Sequence, residues 1–269
     1  MRLALVQTPC KLGDKLENIR RMERMLDRAD ADVYLFSELF LTGYMCRDRL
    51  PLLAEPVNGK SVTRIQGMAE QRDCAIVFGM PTASDMYTGV MHNSAVGVSA
   101  DGTIQRYDKL VPANFGPFEE RLYFTPGLSP ALFTLAGLKV GVVICYDLFF
   151  PEFLREGAVQ GADLLVCISA SPATSREQFE RVLPARAAEN TCYMAYANQV
   201  GAQLNMVFFG GSQAYGPRGD PLARCKYYEE DIAVIEVDPQ EVALARRMRP
   251  TLRDTIACAT PSEAGQEKS

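Results

Sequence analysis

Residues 138–152 read LKVGVVICYDLFFPE. An apolar run containing one glycine ends at Cys145, and Pro151 follows shortly after. The run reads as a buried strand, and proline is tolerated in the first turn of a helix. The segment therefore predicts a strand, a sharp turn and a helix of about ten residues. A side chain on such a turn is presented at the C-terminal edge of a sheet, where sites in α/β proteins form. Nucleophile elbows use the same geometry. The N–H of Tyr146 can then point at an oxyanion. Position alone leaves Cys145 open between a nucleophile and an inert cysteine at a strand end.

Outward from this segment the chain alternates strands and helices, with hairpins between. Residues 131–135 and 138–144 flank Ala136-Gly137 as one hairpin, and 93–99 and 103–107 flank Ala-Asp-Gly as another. Strands are expected at 2–7, 32–37, 75–78, 163–169 and 192–198. A helix opens at Gly13-Asp14 with Leu16, Ile19, Met22, Leu26 and Ala29 as its apolar stripe. Ser61 reads as the N-cap of a helix carrying Val62, Ile65, Met68 and Ala69. Residues 176–190 place Phe179, Val182, Leu183 and Ala187 on one helical face. Residues 206–215 and 221–237 read as a β-ribbon broken by the turn at 217–220, before a short helix from Pro239 to Arg247. The mixture predicts an α/β protein whose helices cover mixed sheets. No interior linker is evident, so 1–259 reads as a single domain. The small, polar tail 260–269 reads as disordered.

Composition narrows the function. The 269 residues carry a net charge of −5, which argues against nucleic acid or an anionic membrane as partner. No stretch reaches the roughly 18 apolar residues needed to span a bilayer, and the start lacks the long apolar region of a signal peptide. A cytoplasmic location follows by default. Eight cysteines include no C-x-x-C pair, and Cys74, Cys167 and Cys192 read as buried small hydrophobes. The one histidine, His92, reads as structural, so imidazole-rich metal sites are excluded.

Two further groups can serve a cysteine without histidine. Glu38 ends the apolar run VYLFSE, where a carboxylate is costly to desolvate and needs a partner or a role. Lys109 lies in RYDKLVP, after a hairpin strand. Glu119 and Glu120, in FEERLYFTPG, are equal local candidates for a second carboxylate. A thiol near pKa 8.5 is a weak nucleophile until deprotonated. Glu38 can take that proton, and Lys109 can stabilise first the thiolate and then the oxyanion.

FSELFLTGY around Glu38, YDKLVP around Lys109 and GVVICYDLFFPE around Cys145 resemble, in order and spacing, the Glu-Lys-Cys set of the nitrilase superfamily of carbon–nitrogen hydrolases. The resemblance extends over residues 2 to 255 through LALVQTPCKLGDKLENIRR, SASP at 169–172, ENTCYMAYANQVG and FFGGSQAYGPRGDPL. It implies a four-layer α-β-β-α sandwich of mixed sheets with the site at strand ends. It also implies at least a homodimer, no metal or organic cofactor, and catalytic Glu38, Lys109 and Cys145. A second glutamate beside the lysine is implied too. Glu120 matches it, seven residues before Gly127, with the role of orienting Lys109 and substrate.

The implied reaction is hydrolysis of a small non-peptide amide through a thioester, with the substrate walled by Tyr44, Phe115, Tyr146 and Phe149. An N-carbamoyl hydrolase and a non-catalytic binding subunit are the alternatives. Ser37 stands where many members have proline, and Phe149 where many have arginine. Tyr146-Asp147 follows the cysteine as in many amidases, where nitrilases carry Trp-Glu. KLVPANFGPFEERLYF and NQVGAQLNMVFFGGS are similar to the glutaminase domain of glutamine-dependent NAD synthetase. Ser171 matches a glutamine-contacting serine of that branch, Phe115 replaces its tyrosine, and the basic residue after SASP is displaced to Arg176. No SGG-type pyrophosphatase loop is present. Residues 43–53 and 112–118 are expected at the pocket rim, with Arg47, Asp48 and Arg49 on a solvated face.

Overall fold

The computed structural model describes residues 1–259. The disordered tail expected at 260–269 lies outside the described residues. The first half of the chain runs β1 (Arg2–Gln7), α1 (Lys15–Leu26), β2 (Val33–Leu35), α2 (Leu50–Leu53), α3 (Lys60–Arg72), β3 (Ala75–Ala83), β4 (Met91–Val98) and β5 (Ile104–Asp108). The second half begins with β6 (Ala131–Leu135), β7 (Leu138–Ile144), α4 (Pro151–Val159), β8 (Leu164–Ser169), α5 (Arg176–Asn190) and β9 (Tyr193–Asn198). It ends with β10 (Val200–Gln203), β11 (Met206–Phe209), β12 (Gln213–Tyr215), β13 (Pro221–Arg224), β14 (Asp231–Glu236), α6 (Pro239–Met248) and α7 (Thr251–Ala259).

Two six-stranded sheets form, in the orders β14-β1-β2-β3-β4-β5 and β13-β12-β9-β8-β7-β6. Each is parallel at its centre, β1-β2-β3 and β7-β8-β9, and antiparallel at its margins. Alternation along the strands builds the layers. Leu3, Leu5, Val33, Leu35 and Val77 face the second sheet and share a core with Phe133, Val140 and Val142. Ala4, Val6, Tyr34, Ile76 and Phe78 point the other way, onto Ile19 and Met22 of α1 and Val62 and Ile65 of α3. Helices α4 and α5 cover the outer face of the second sheet, completing the α-β-β-α sandwich. Gly141 lets α4 approach closely: a Cβ there would sit 2.8 Å from Leu165 Cδ2 and 3.7 Å from Gly157 Cα.

Several local expectations change in the tertiary context. The ribbon expected over 206–215 and 221–237 is instead divided among three sheets. Strand β11 pairs with β10, β12 joins β13 and β9, and β14 crosses to pair with β1. Each segment finds an edge with unpaired backbone groups there, and long-range pairing overrides the local hairpin signal. Gly59, not Ser61, is the N-cap of α3. The Glu55 carboxylate satisfies the helix terminus from outside, accepting from Ser61 N at 2.9 Å and from Ser61 Oγ at 2.7 Å. Leu16 of the expected α1 stripe is exposed and Met25 is buried instead. Asn18 anchors the helix by donating to Lys11 O and Leu41 O, which sets the buried face one step further round. The strand expected over 32–37 is three residues long, because the chain turns early towards Glu38.

Candidate active site

The C-terminal ends of four strands meet along one edge. Strand β2 leads to Glu38, β5 to Lys109, β7 to Cys145 and β8 to Ser171. Two of the turns use left-handed backbone: Cys145 has φ +50° and Leu39, next to Glu38, has φ +48°. Non-glycine residues adopt this conformation at a cost and persist there only when the surroundings over-determine it. Gly79 supplies part of that constraint beside Glu38. A Cβ at residue 79 would lie 2.7 Å from Glu38 Cα, so only glycine lets β3 pass so close.

Lys109 is fully buried between two carboxylates. Its Nζ lies 2.8 Å from Glu38 Oε1 and 2.8 Å from Glu120 Oε2. Glu38 Oε1 also accepts from Asn93 Nδ2 at 2.7 Å, and Oε2 accepts from the Ala170 N–H at 2.8 Å. Glu120 accepts from Tyr44 Oη at 2.6 Å and from the Ala113 N–H at 3.2 Å. Glu120 is buried at this site while Glu119 is exposed, which separates the two glutamates that local sequence left equal. Gln203 fixes the Tyr44 turn: its Oε1 accepts from Tyr44 N at 2.9 Å and Met45 N at 3.1 Å.

Cys145 is 6% exposed, with Sγ 3.7 Å from Ser171 Oγ. Burial, and then the Glu38 carboxylate, push its thiol up to about 12, against the opposing pull of Lys109. With Lys109 ionised between two carboxylates, the trio carries one net negative charge, so a free thiolate beside it is disfavoured. Burial alone would lower the Lys109 ammonium; Glu120 and Glu38 outweigh it and hold it well above the usual lysine range. Burial raises Glu120, opposed by Lys109.

Asp147 holds these turns together. It accepts from Tyr107 Oη at 2.7 Å, from the Val111 N–H at 2.9 Å and from the Ile144 N–H at 3.3 Å. One buried carboxylate thus ties the Cys145 turn to the loop that follows Lys109. Neither Asn93 nor Gln203 carries a sequence signal, since each acts through a partner remote in the chain.

A cavity of about 230 Å³ opens above Cys145. Phe115, Phe118, Tyr146, Phe149 and Phe179 supply its rings, and Ser171, Ser175 and Gln178 its polar groups. Tyr44 is not among the lining residues, because its hydroxyl turns away to Glu120. Residues 43–53 border a separate small hollow with Arg47 and Glu119, and Arg47, Asp48 and Arg49 are exposed. His92 sits on β4 with Nδ1 2.8 Å from Thr125 O, away from the cluster. Among the described residues no group of three or more His, Cys, Asp or Glu is arranged to hold a metal ion. No helix among them is long and apolar enough to cross a membrane.

Residues 2–247 match the profile of the carbon–nitrogen hydrolase family. This chain belongs to that family. The hydrolase is 31% identical over 257 residues to an (R)-stereoselective amidase of a Pseudomonas species, covering 94% of this chain and 91% of the relative. It is 31% identical over 258 residues to the glutamine-dependent NAD(+) synthetase of Aquifex aeolicus, covering 93% of this chain but 44% of the synthetase. Among solved structures, it resembles a mutant of the amidase from Nesterenkonia sp. AN1 with a TM-score of 0.79 and 27% identity, covering 95% of this chain and 96% of that one. That structure shows covalent addition of the acetamide moiety of fluoroacetamide at the active site cysteine.

Proposed function

We propose that this hydrolase cleaves the carbon–nitrogen bond of a small amide through a thioester on Cys145. The observation that carries the reading is the buried Glu38–Lys109–Glu120 cluster beside a cysteine that floors a cavity. Burial and the Glu38 carboxylate hold the thiol well above the usual cysteine range, so attack needs a base that acts in the same step. Glu38 is suited to act as that base. Asn93, Lys109 and Ala170 fix its oxygens, and Oε2 keeps a lone pair for the proton. The sulfur bonds to the carbonyl carbon as the thiol proton passes to Glu38. An ammonium has three donors. Two of those on Lys109 go to Glu38 and Glu120, which leaves the third for the oxyanion, together with the N–H of Tyr146.

Glu38 then gives its proton to the departing nitrogen, the carbon–nitrogen bond breaks, and ammonia or an amine leaves a thioester. Water attacks that thioester as Glu38 takes its proton, the carbon–sulfur bond breaks, and Glu38 returns the proton to the departing sulfur, releasing a carboxylic acid and restoring the thiol. Glu120 acts as a positioning residue that holds Lys109. The adduct on the active site cysteine of the Nesterenkonia amidase supports the choice of Cys145 as the reactive thiol. The same reading takes residues 1–259 as one catalytic domain acting as a homodimer or larger homo-oligomer. It takes the cytoplasm as the setting, since eight unpaired thiols fit a reducing compartment.

The test is ammonia release from acetamide and propionamide by wild type and Cys145→Ala, with acid-quenched samples examined by intact mass. Wild type alone is expected to release ammonia and to gain one acyl group, mapped to Cys145. Turnover by the alanine variant, or an acyl group on another residue, would overturn the mechanism.

A further inference from the structure

The cavity above Cys145 has a chemistry more specific than the word amide. Five aromatic side chains line it: Phe115 lies 5.3 Å from Phe118 and 4.8 Å from Tyr146, and Phe149 lies 6.0 Å from Tyr146 and 5.0 Å from Phe179. The planes meet at 68°, 55°, 42° and 80°, so the rings pack edge-on and tilted and do not fill the space by stacking. Aromatic groups gain most from such arrangements at centroid separations of about 4.5–7 Å.

No charged side chain lines the cavity among the described residues. The nearby cation Arg176 is drawn off, 5.0 Å over the Tyr227 ring, and Phe149 puts a ring directly after the cysteine turn. A substrate carboxylate or ammonium placed there would lose water and meet only the neutral polar groups of Ser171, Ser175 and Gln178, with no opposite charge to pair with. The volume is sufficient for an aromatic group. An apolar cavity of about 150 Å³ takes a benzene ring, so about 230 Å³ holds a ring with a short linker.

The orientation follows from the proton path. The leaving nitrogen must reach Glu38, which is fully buried and does not line the cavity. The nitrogen therefore points inward, and the acyl side of the molecule extends among the rings. We infer that the substrates are primary amides of uncharged arylalkanoic acids, with the aromatic acyl group held by Phe115, Tyr146, Phe149 and Phe179. This rests on the amidase reading above.

The experiment compares kcat/KM of the wild-type full chain for phenylacetamide, acetamide, glutamine, succinamate, betaine amide and acetanilide. Phenylacetamide is expected to exceed acetamide roughly 10- to 150-fold, from burying one phenyl group, with glutamine and succinamate at or below acetamide. Phe149→Arg is expected to shrink the phenylacetamide-to-succinamate ratio at least tenfold. Competitive inhibition of the wild type by phenylacetate, tighter than by succinate, supplies a readout independent of that variant's folding. Equal turnover of acetamide and phenylacetamide, or a preference for a charged amide, overturns the inference and leaves the amidase reading standing. Preference for acetanilide puts the ring on the leaving group and overturns the assigned orientation. No turnover of any amide overturns both.

Discussion

Replacing Lys109 with methionine keeps an unbranched side chain of similar size and removes one charge. The two carboxylates 2.8 Å from the ammonium then lose their shared cation. Their side chains are 0% and 4% exposed, so water cannot replace the lysine. Removing one partner of a buried ion pair costs about 3–5 kcal/mol. At about 2–4 °C per kcal/mol for a chain of this size, Tm should fall by roughly 6–20 °C near pH 8. Burial already raises Glu120 and Lys109 opposes that rise, so the variant's carboxylate moves up further. The folded variant then keeps a proton that the unfolded chain releases above about pH 4.3. A state that binds more protons loses stability as pH rises. The deficit should therefore be smallest near pH 5 and grow towards pH 8. Scanning calorimetry of variant and wild type at pH 5.5, 7.0 and 8.5 measures it. A deficit independent of pH, or no deficit, would refute the claim that Lys109 neutralises buried carboxylates.

Two further predictions concern positioning. Gly79→Ala drives a Cβ to 2.7 Å from Glu38 Cα, so it should lower stability by about 1–3 kcal/mol and cut kcat more than it raises KM; unchanged kcat would separate Gly79 from the site. Asp147→Asn puts an amide among groups that all donate, Tyr107 Oη and the N–H groups of Val111 and Ile144. One mismatched buried donor costs about 1–3 kcal/mol, and thermal unfolding should show it as a loss in Tm; a Tm equal to wild type would refute the bracing role.

The strand ending at Cys145, the helix opened by Pro151 and the hairpin before Lys109 were legible because each follows from near neighbours: an apolar run, a fixed proline φ, and a glycine turn. The three motif segments were legible for the same reason, as each is local and ordered along the chain. Local signals misled where long-range pairing took over. The segment 206–237 has hairpin chemistry, yet β14 is captured by β1 more than two hundred residues away in sequence.

Local patterning was enough to set the α/β class of the fold, through alternating apolar runs and helical stripes, and to offer Glu38, Lys109 and Cys145 as candidates, while the four-layer arrangement and the joining of the three into one set came from the family resemblance. Local patterning left Glu119 and Glu120 equal and the family spacing pointed to Glu120; in the closed fold it is Glu120 that reaches the lysine, and only that fold turns Tyr44 towards Glu120 and away from the cavity. The closed fold also supplied Asn93 and Asp147 as braces of the cluster. The difference is one of reach. Propensity and periodicity act over a few residues, whereas a buried charge takes whichever donors the closed core brings within about 3 Å, and here the Ala170 N–H reaches Glu38 from 132 positions along the chain.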